Sequence, residues 1–337
     1  MSFSQRACWT KVIVFLVASI VLPTAASACL PKDDPLFFSC VSESAWMPLF
    51  RTVFGPQTRP RRVAVVIAVS KYPSLTDASK ELAAAKKDSD ELAKTLEELH
   101  FDEVIKIIDA DFTPAVLDRV FKRYLTPKLK AEQNSQLLIT FSGHGNELEG
   151  EGYLLLSDGK QLTLSRYEDT LDGWLSMRTF KDLVYDSIKY ANQSLILVNS
   201  CKSGTFVTQR SKYGEDVLGE PTAQVITAGG PKDSVAADPT IGSYGGSVFF
   251  EIVVAALKNV PLRTSTGPIA PPKNDGILTF SALYSFLFET SLQLYNRTIA
   301  PISASFMSKT QPPAFDGSFF FIVDEDLIQF LPASAGE

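Results

Sequence analysis

The sequence of 337 residues is 45% hydrophobic and 21% charged, proportions that exclude a disordered, collagenous or polytopic membrane chain and allow a sizeable core. With 32 Lys and Arg against 38 Asp and Glu, the net charge is −6 and no long basic block is present, which argues against nucleic acid as a partner. Only four cysteines (8, 29, 40 and 201) and two histidines (100 and 144) occur, so thiol or imidazole chemistry has few places to happen.

Arg6 and Lys11 precede the apolar run Val12–Leu22, and Pro23 leads into Ala25-Ala26-Ser27-Ala28. This pattern predicts a secretory signal peptide over residues 1–28 with an A-x-A cleavage site. The apolar run is shorter than the roughly 20 residues of a spanning helix. Export to a periplasmic or extracellular compartment follows. Ala26-Ser27-Ala28-Cys29 also resembles a loose bacterial lipobox, with Ala where Leu is usual. Membrane association therefore requires either a lipidated Cys29 or an uncleaved leader. Cys29 and Cys40 bracket a ten-residue segment containing Pro31 and Pro35, which makes them a candidate disulfide in an oxidising compartment. Cys8 leaves with the leader, and Cys201 is then an odd thiol that must pair between chains or do chemistry.

Residues 29–61 are rich in Pro and aromatics without periodicity and read as an irregular arm. Order begins at Arg62, where the apolar run to Val69 predicts a strand buried on both faces of a parallel sheet. Leu92, Leu96 and Leu99, set among Lys, Glu and Asp, predict an amphipathic helix from about Ala78. A strand follows at Glu103–Ile108. Thr113-Pro114 supplies an N-cap and first-turn proline for a helix with Leu117, Val120, Phe121 and Tyr124 on one face. Gln136–Phe141 reads as a strand, and Tyr153–Ser157 with Gln161–Ser165 around Asp158-Gly159 as a hairpin. Phe180, Leu183, Val184 and Ile188 mark a helix, and Ser194–Val198 the next strand. Strand and helix recur at Gln224–Thr227 and Val248–Leu257. A helix over Leu278–Leu294 and a strand over Gly317–Val323 are expected to add to the same sheet. The fold class is α/β, a mostly parallel central sheet with helices on both faces, in one domain over residues 62–325 followed by a tail, 326–337.

In such sheets ligands bind beyond the carboxyl ends of the strands. Two ends carry the rare residues: Phe141-Ser142-Gly143-His144-Gly145 and Val198-Asn199-Ser200-Cys201-Lys202-Ser203-Gly204. A thiol becomes a strong nucleophile when an imidazole takes its proton, and the same imidazole can then protonate a leaving amine. Glycines around His144 permit close backbone approach, the Gly145 and Cys201 N–H groups are candidate oxyanion donors, and Gly204 is expected to loosen the loop. A lone cysteine after a buried strand is ordinarily an inert packed thiol. A histidine and a cysteine at neighbouring strand ends, each with glycines, point instead to a dyad. His100, in a helix-to-strand connection, reads as a surface residue.

From about Arg62 to Val323 the chain resembles the caspase-like cysteine peptidases (peptidase C14), more the bacterial, metacaspase-like branch than the animal caspases. Gly143-His144-Gly145 is similar to the family's His-Gly motif. Asn199 to Gly204 matches its D-x-C-x-S-G signature except at the first position, and His144 stands 57 residues before Cys201, close to the roughly 50 of caspases. The resemblance implies a caspase-like (caspase-hemoglobinase) fold and a Cys201/His144 dyad acting on protein or peptide substrates. It also implies an S1 subsite at Asp88 and position 199, which in metacaspase-like enzymes binds Arg or Lys. Asn199 cannot supply the usual Asp charge, although it can still hydrogen-bond a cationic head. Arg210 and Lys212 lie where relatives are often self-cleaved. Some relatives need calcium, but no compact acidic run of the EF-hand kind is present, so no metal and no cofactor are expected. Two other readings stay open, a non-catalytic caspase-like binding or assembly module and a legumain-like peptidase or transpeptidase. Oligomeric state is not legible in the sequence.

Overall fold

The computed structural model describes Asp34 and residues 37–40, 60–75, 80–132, 134–159, 173–209, 223–235, 238, 240–273, 276–295, 303–306 and 319–323. The leader, the Arg210–Glu220 stretch and residues 161–165 lie outside them. So does the side chain of Cys29, as does that of Cys40, and with them the expected disulfide.

Five parallel strands form the frame, in the order β3 (Glu103–Ile108), β2 (Arg61–Ala68), β4 (Ser135–Ser142), β8 (Gln193–Asn199), β9 (Ala223–Thr227). Their apolar runs bury on both faces: all eight residues of β4 are buried, as are all of β2 except Arg61. Alternate residues feed two cores, as the period of two requires. Val63, Val65 and Ile67 join Leu117, Phe121, Phe180 and Val184 on one side, whereas Ala64 and Val66 join Leu92, Leu96, Phe250 and Leu283 on the other. The second layer comprises α1 (Ala83–Glu98), α6 (Val248–Leu257) and α7 (Phe280–Tyr295). The first comprises α4 (Met177–Tyr190), the short α5 (Thr205–Thr208) and one continuous helical run: α2 (Pro114–Leu117), a π stretch at Asp118–Leu125 and α3 (Thr126–Ala131). Thr113 caps that run, accepting from the Val116 N–H at 3.2 Å. The π stretch falls just ahead of Pro127, which has no N–H for an α ladder.

The loops are tied as firmly as the strands. α1 stops at His100, which takes φ 55° while its N–H donates to the Glu97 carbonyl and the Phe101 N–H to that of Leu96. This is a Schellman stop, and it leaves His100 exposed and away from the strand ends that carry chemistry, as expected. Asp109 accepts from the Ser70 N–H at 2.6 Å and the Lys71 N–H at 3.1 Å, pinning the end of β2 to that of β3.

Three expectations change. The N-terminal arm is not wholly irregular, because β1 (Phe37–Cys40) pairs antiparallel with β3 at one edge of the sheet. The hairpin is built on β6 (Glu151–Leu155), whose partners are β5 (Gly145–Leu148) and β7 (Trp174–Ser176). Glu149 and Gly150, with φ of 53° and 83°, make the β5–β6 turn; two positive φ values match the twist of a two-residue hairpin. Gly317–Val323 does not extend the main sheet. Its strand β12 (Phe320–Ile322) pairs antiparallel with β10 (Ile277–Thr279), and the edge beside β9 is taken by the antiparallel β11 (Ser303–Phe306). The reason lies in the aromatics: Phe319 and Phe321 are buried in the core over the sheet, with ring centroids 5.1 Å apart and Phe101 6.4 Å from Phe321. A position over the sheet face buries both rings, which a solvent-facing edge would not.

Candidate active site

β4 and β8 pair in register Ser142 with Asn199, and His144 and Cys201 each stand two residues beyond that pair. The strands thus deliver imidazole and thiol to the same level, and the Gly143 N–H donates to the Asn199 carbonyl at 3.1 Å to hold the two exits together. Both side chains line a cleft of about 110 Å³, with Ser142, Asn199, Val235 and Ser247 among its walls. Cys201 is half-buried and reduced. Its Sγ accepts from the Val235 N–H at 3.5 Å, which ties the nucleophile to the loop after β9.

The motif glycines are explained by contact. A Cβ on Gly145 would lie 2.5 Å from the Cys201 carbonyl oxygen and 2.7 Å from Ser200 Oγ, so β5 rides directly on the nucleophile loop. Gly145 faces Leu154 across β6, flanked by the bonded pair in which the Leu155 N–H donates to the His144 carbonyl at 3.0 Å. In an antiparallel ladder this makes Gly145 a non-hydrogen-bonded position, whose N–H points away from β6. The expectation that Gly204 loosens the loop is overturned. A Cβ there would meet the Gly230 carbonyl carbon at 2.4 Å and the Pro231 nitrogen at 2.5 Å, so the glycine permits tight seating rather than freedom. Ser203 Oγ accepts from the Gly229 N–H at 3.2 Å, and the Lys202 N–H donates to the Asp233 carbonyl at 2.8 Å. Lys202 itself takes φ 59°, a left-handed conformation sustained because its surroundings hold it.

Tyr72 belongs to the site, a role that the sequence reading does not assign to it. Its fully buried hydroxyl donates to the Val69 carbonyl at 2.9 Å and accepts from the His144 N–H at 2.8 Å, while its ring packs on the imidazole with centroids 4.6 Å apart. Burial holds the phenol well above its ordinary pKa, so it stays a neutral donor. Tyr72 fixes where His144 leaves β4.

Asp88 and Asn199, expected to act together, do share a corner, joined through Ser142. The Asn199 Nδ2 donates to Ser142 Oγ at 3.1 Å, and Ser142 Oγ donates to Asp88 Oδ2 at 2.7 Å. Asp88 is buried on α1, not an exposed helix charge. Its Oδ1 accepts from the Ser247 N–H at 2.8 Å. Glu251, also missed from sequence, shapes the loop beside it, accepting from the N–H groups of Ser243, Gly246 and Tyr244 at 2.8, 3.0 and 3.2 Å. Gly242, at φ 82°, lets the loop close round that carboxylate, since a Cβ there would lie 1.8 Å from Oε2. Glu251→Ala leaves three loop amides without their acceptor, of which that of Gly246 is buried, and is expected to cost about 2 kcal/mol, lowering Tm by about 4–8 °C. Thermal unfolding followed by circular dichroism measures this, and an unchanged Tm would contradict it.

Among the described residues no group of three or more His, Cys, Asp and Glu is placed to hold a metal ion, and no helix is long and apolar enough to cross a membrane.

The family model for the caspase domain (peptidase C14) matches residues 61–281, a span that includes β2 through β10 and both motif strand ends. No curated protein matches the chain. Among solved structures, the Drosophila initiator caspase Dronc superposes with a TM-score of 0.47 at 12% identity, over 75% of this chain and 82% of that one. Caspase-1 from Spodoptera frugiperda gives 0.47 and 12%, over 74% and 90%. With most of the chain covered by the family match, and with His144 and Cys201 carried by it to the carboxyl ends of adjacent strands, the chain belongs to the caspase-domain family of cysteine peptidases.

Proposed function

We propose that the protein is an exported cysteine endopeptidase that cleaves protein or peptide substrates through a thioacyl-enzyme on Cys201, after Arg or Lys at P1. The observation that carries this reading is the placement of imidazole and thiol, each two residues past a registered strand pair, in one cleft. His144 takes the Cys201 proton as sulfur attacks the scissile carbonyl carbon and an S–C bond forms. The negative charge that develops on the carbonyl oxygen is met by the Gly145 and Cys201 N–H groups. The C–N bond then breaks as the imidazolium gives its proton to the leaving amine. Water completes the cycle: His144 removes its proton, a C–O bond forms, the C–S bond breaks, and the thiol is restored. None of these steps requires a metal or cofactor. Asp88, Ser142 and Asn199 form the S1 corner. The apolar run Val12–Leu22 with the small residues Ala25–Ala28 behind it supports a periplasmic or extracellular setting, soluble if cleaved at Ala28 and membrane-tethered if Cys29 is lipidated.

Cleavage-site profiling of the purified protein on a mixed peptide library tests activity and P1 choice together. The expected result is a burst of product stoichiometric with protein, cleavage after Arg or Lys, and loss of both on alkylation of Cys201. Turnover that survives alkylation would overturn the thiol mechanism. A folded protein that cleaves nothing would favour a binding module, and cleavage after Asp or Asn would refute the S1 reading.

A further inference from the structure

The S1 corner holds a single carboxyl group set behind a hydroxyl. Ser142, Asn199, Ser200 and Ser247 wall the cleft, and all four are buried. Asp88 stands behind Ser142, reached through the chain Asn199 Nδ2 to Ser142 Oγ to Asp88 Oδ2. Asn199 Oδ1 is buried without any hydrogen-bond partner, an acceptor waiting for a donor. The direction of the chain depends on the proton at its far end. While Asp88 is ionised it can only accept, so Ser142 must donate to it and is left to accept from Asn199; the amide oxygen then faces the cleft. A protonated Asp88 can donate to Ser142, which can in turn donate to the amide oxygen, so that the NH2 of Asn199 turns to the cleft instead.

Resting on the peptidase reading above, we propose that this relay makes P1 selection proton-gated. With Asp88 ionised the subsite offers a charge-backed acceptor to a guanidinium or ammonium, and with Asp88 neutral it accepts an uncharged P1 head equally well. Burial is the main reason Asp88 holds its proton up to about pH 6; the Ser142 and Ser247 hydrogen bonds oppose this, and the charge of Glu251 adds to it. The other ionisable groups around it are few. Tyr244 Oη lies 3.4 Å from Asp88 Oδ1 and is held far above its ordinary pKa by burial. Lys87 reaches towards Gly245, and Glu91 is paired with Lys258 at 2.6 Å. β4 and β8 present the uncharged Ser142 and Asn199 to it, followed by His144 and Cys201, whose part in the reaction is common to all substrates.

The test is the ratio of kcat/KM for two peptides identical except for Arg or citrulline at P1, measured from pH 5 to 7.5. Taking the ratio cancels every pH effect common to the two peptides. One unit below its pKa about a tenth of Asp88 is ionised, so the ratio is expected to fall about tenfold between pH 7.5 and pH 5. D88N should give a low ratio at every pH. N199D, which adds a second carboxyl and so keeps one anion to lower pH, should move the fall downward; it stands in if D88N fails to fold. A ratio that stays constant while both peptides are turned over by Cys201 overturns the gate and leaves the peptidase reading intact. Absence of Cys201-dependent turnover of either peptide overturns both.

Discussion

His144→Ala and Cys201→Ala are each expected to lower kcat/KM for an Arg-P1 peptide about 10⁴- to 10⁶-fold, with the double variant no worse than either single one. The two groups act as a unit, because a thiol without its base and a base without its thiol are equally unable to form the acyl-enzyme, so their losses do not add. Both variants should fold. Cys201 and His144 are half-buried at strand ends rather than in either core, and the tie that places the histidine runs from its backbone N–H to Tyr72, which alanine preserves. Steady-state kinetics beside circular dichroism makes the measurement. A folded His144→Ala variant within tenfold of the parent would remove the imidazole from the mechanism.

Gly145→Ala is expected to lower kcat about 10²- to 10³-fold, the cost of one misplaced oxyanion donor. The added methyl would sit 2.5 Å from the Cys201 carbonyl oxygen. That atom is backbone held in the nucleophile loop, with the adjoining Lys202 N–H bonded to Asp233, and it cannot swing aside. β5 must therefore back away and carry the Gly145 N–H with it. Gly150→Ala is the matched control. Its φ of 83° strains any side chain, yet nothing lies within 4 Å of the new carbon, so it should cost about 1 kcal/mol of stability and leave kcat alone. Equal effects on kcat from the two variants would refute the steric argument.

What could be read in the sequence follows what each residue does alone. Val63–Val69 and Gln136–Phe141 bury both faces, and an unbroken apolar run announces that. Thr113-Pro114 and the Leu92/Leu96 spacing are local signals and give their helices directly. β5 gave no such signal: Gly145–Leu148 is half-buried, and Glu149-Gly150 is not among the commonest turn pairs. The short β10 and β12 find each other across many residues, and no local pattern encodes that pairing. The meeting of His144 and Cys201 in one cleft was legible because His and Cys are scarce and their glycine settings unusual. Tyr72 and Glu251 were not, since each works through backbone groups brought close only by folding. Asp88 was legible as a residue but not in its condition, because the enclosure that withholds it from water is assembled from α1, β4, the end of β8 and the loop before α6.

The two antiparallel strands that flank the parallel five decide which margins the sheet presents. A parallel sheet ends in rows of open amides and carbonyls, which invite another chain to add itself. Here β1, from the segment ahead of the family-matched span, covers β3, and β11, from the segment behind it, covers β9. Neither strand lies within residues 61–281. A chain trimmed to that span would keep His144 and Cys201 but would lose most of α7 and all of β12, and would bare the margins of β3 and β9. The outlying segments therefore replace the parallel margins of β3 and β9 with four-residue antiparallel ones, and short edge strands offer an incoming chain less to pair with.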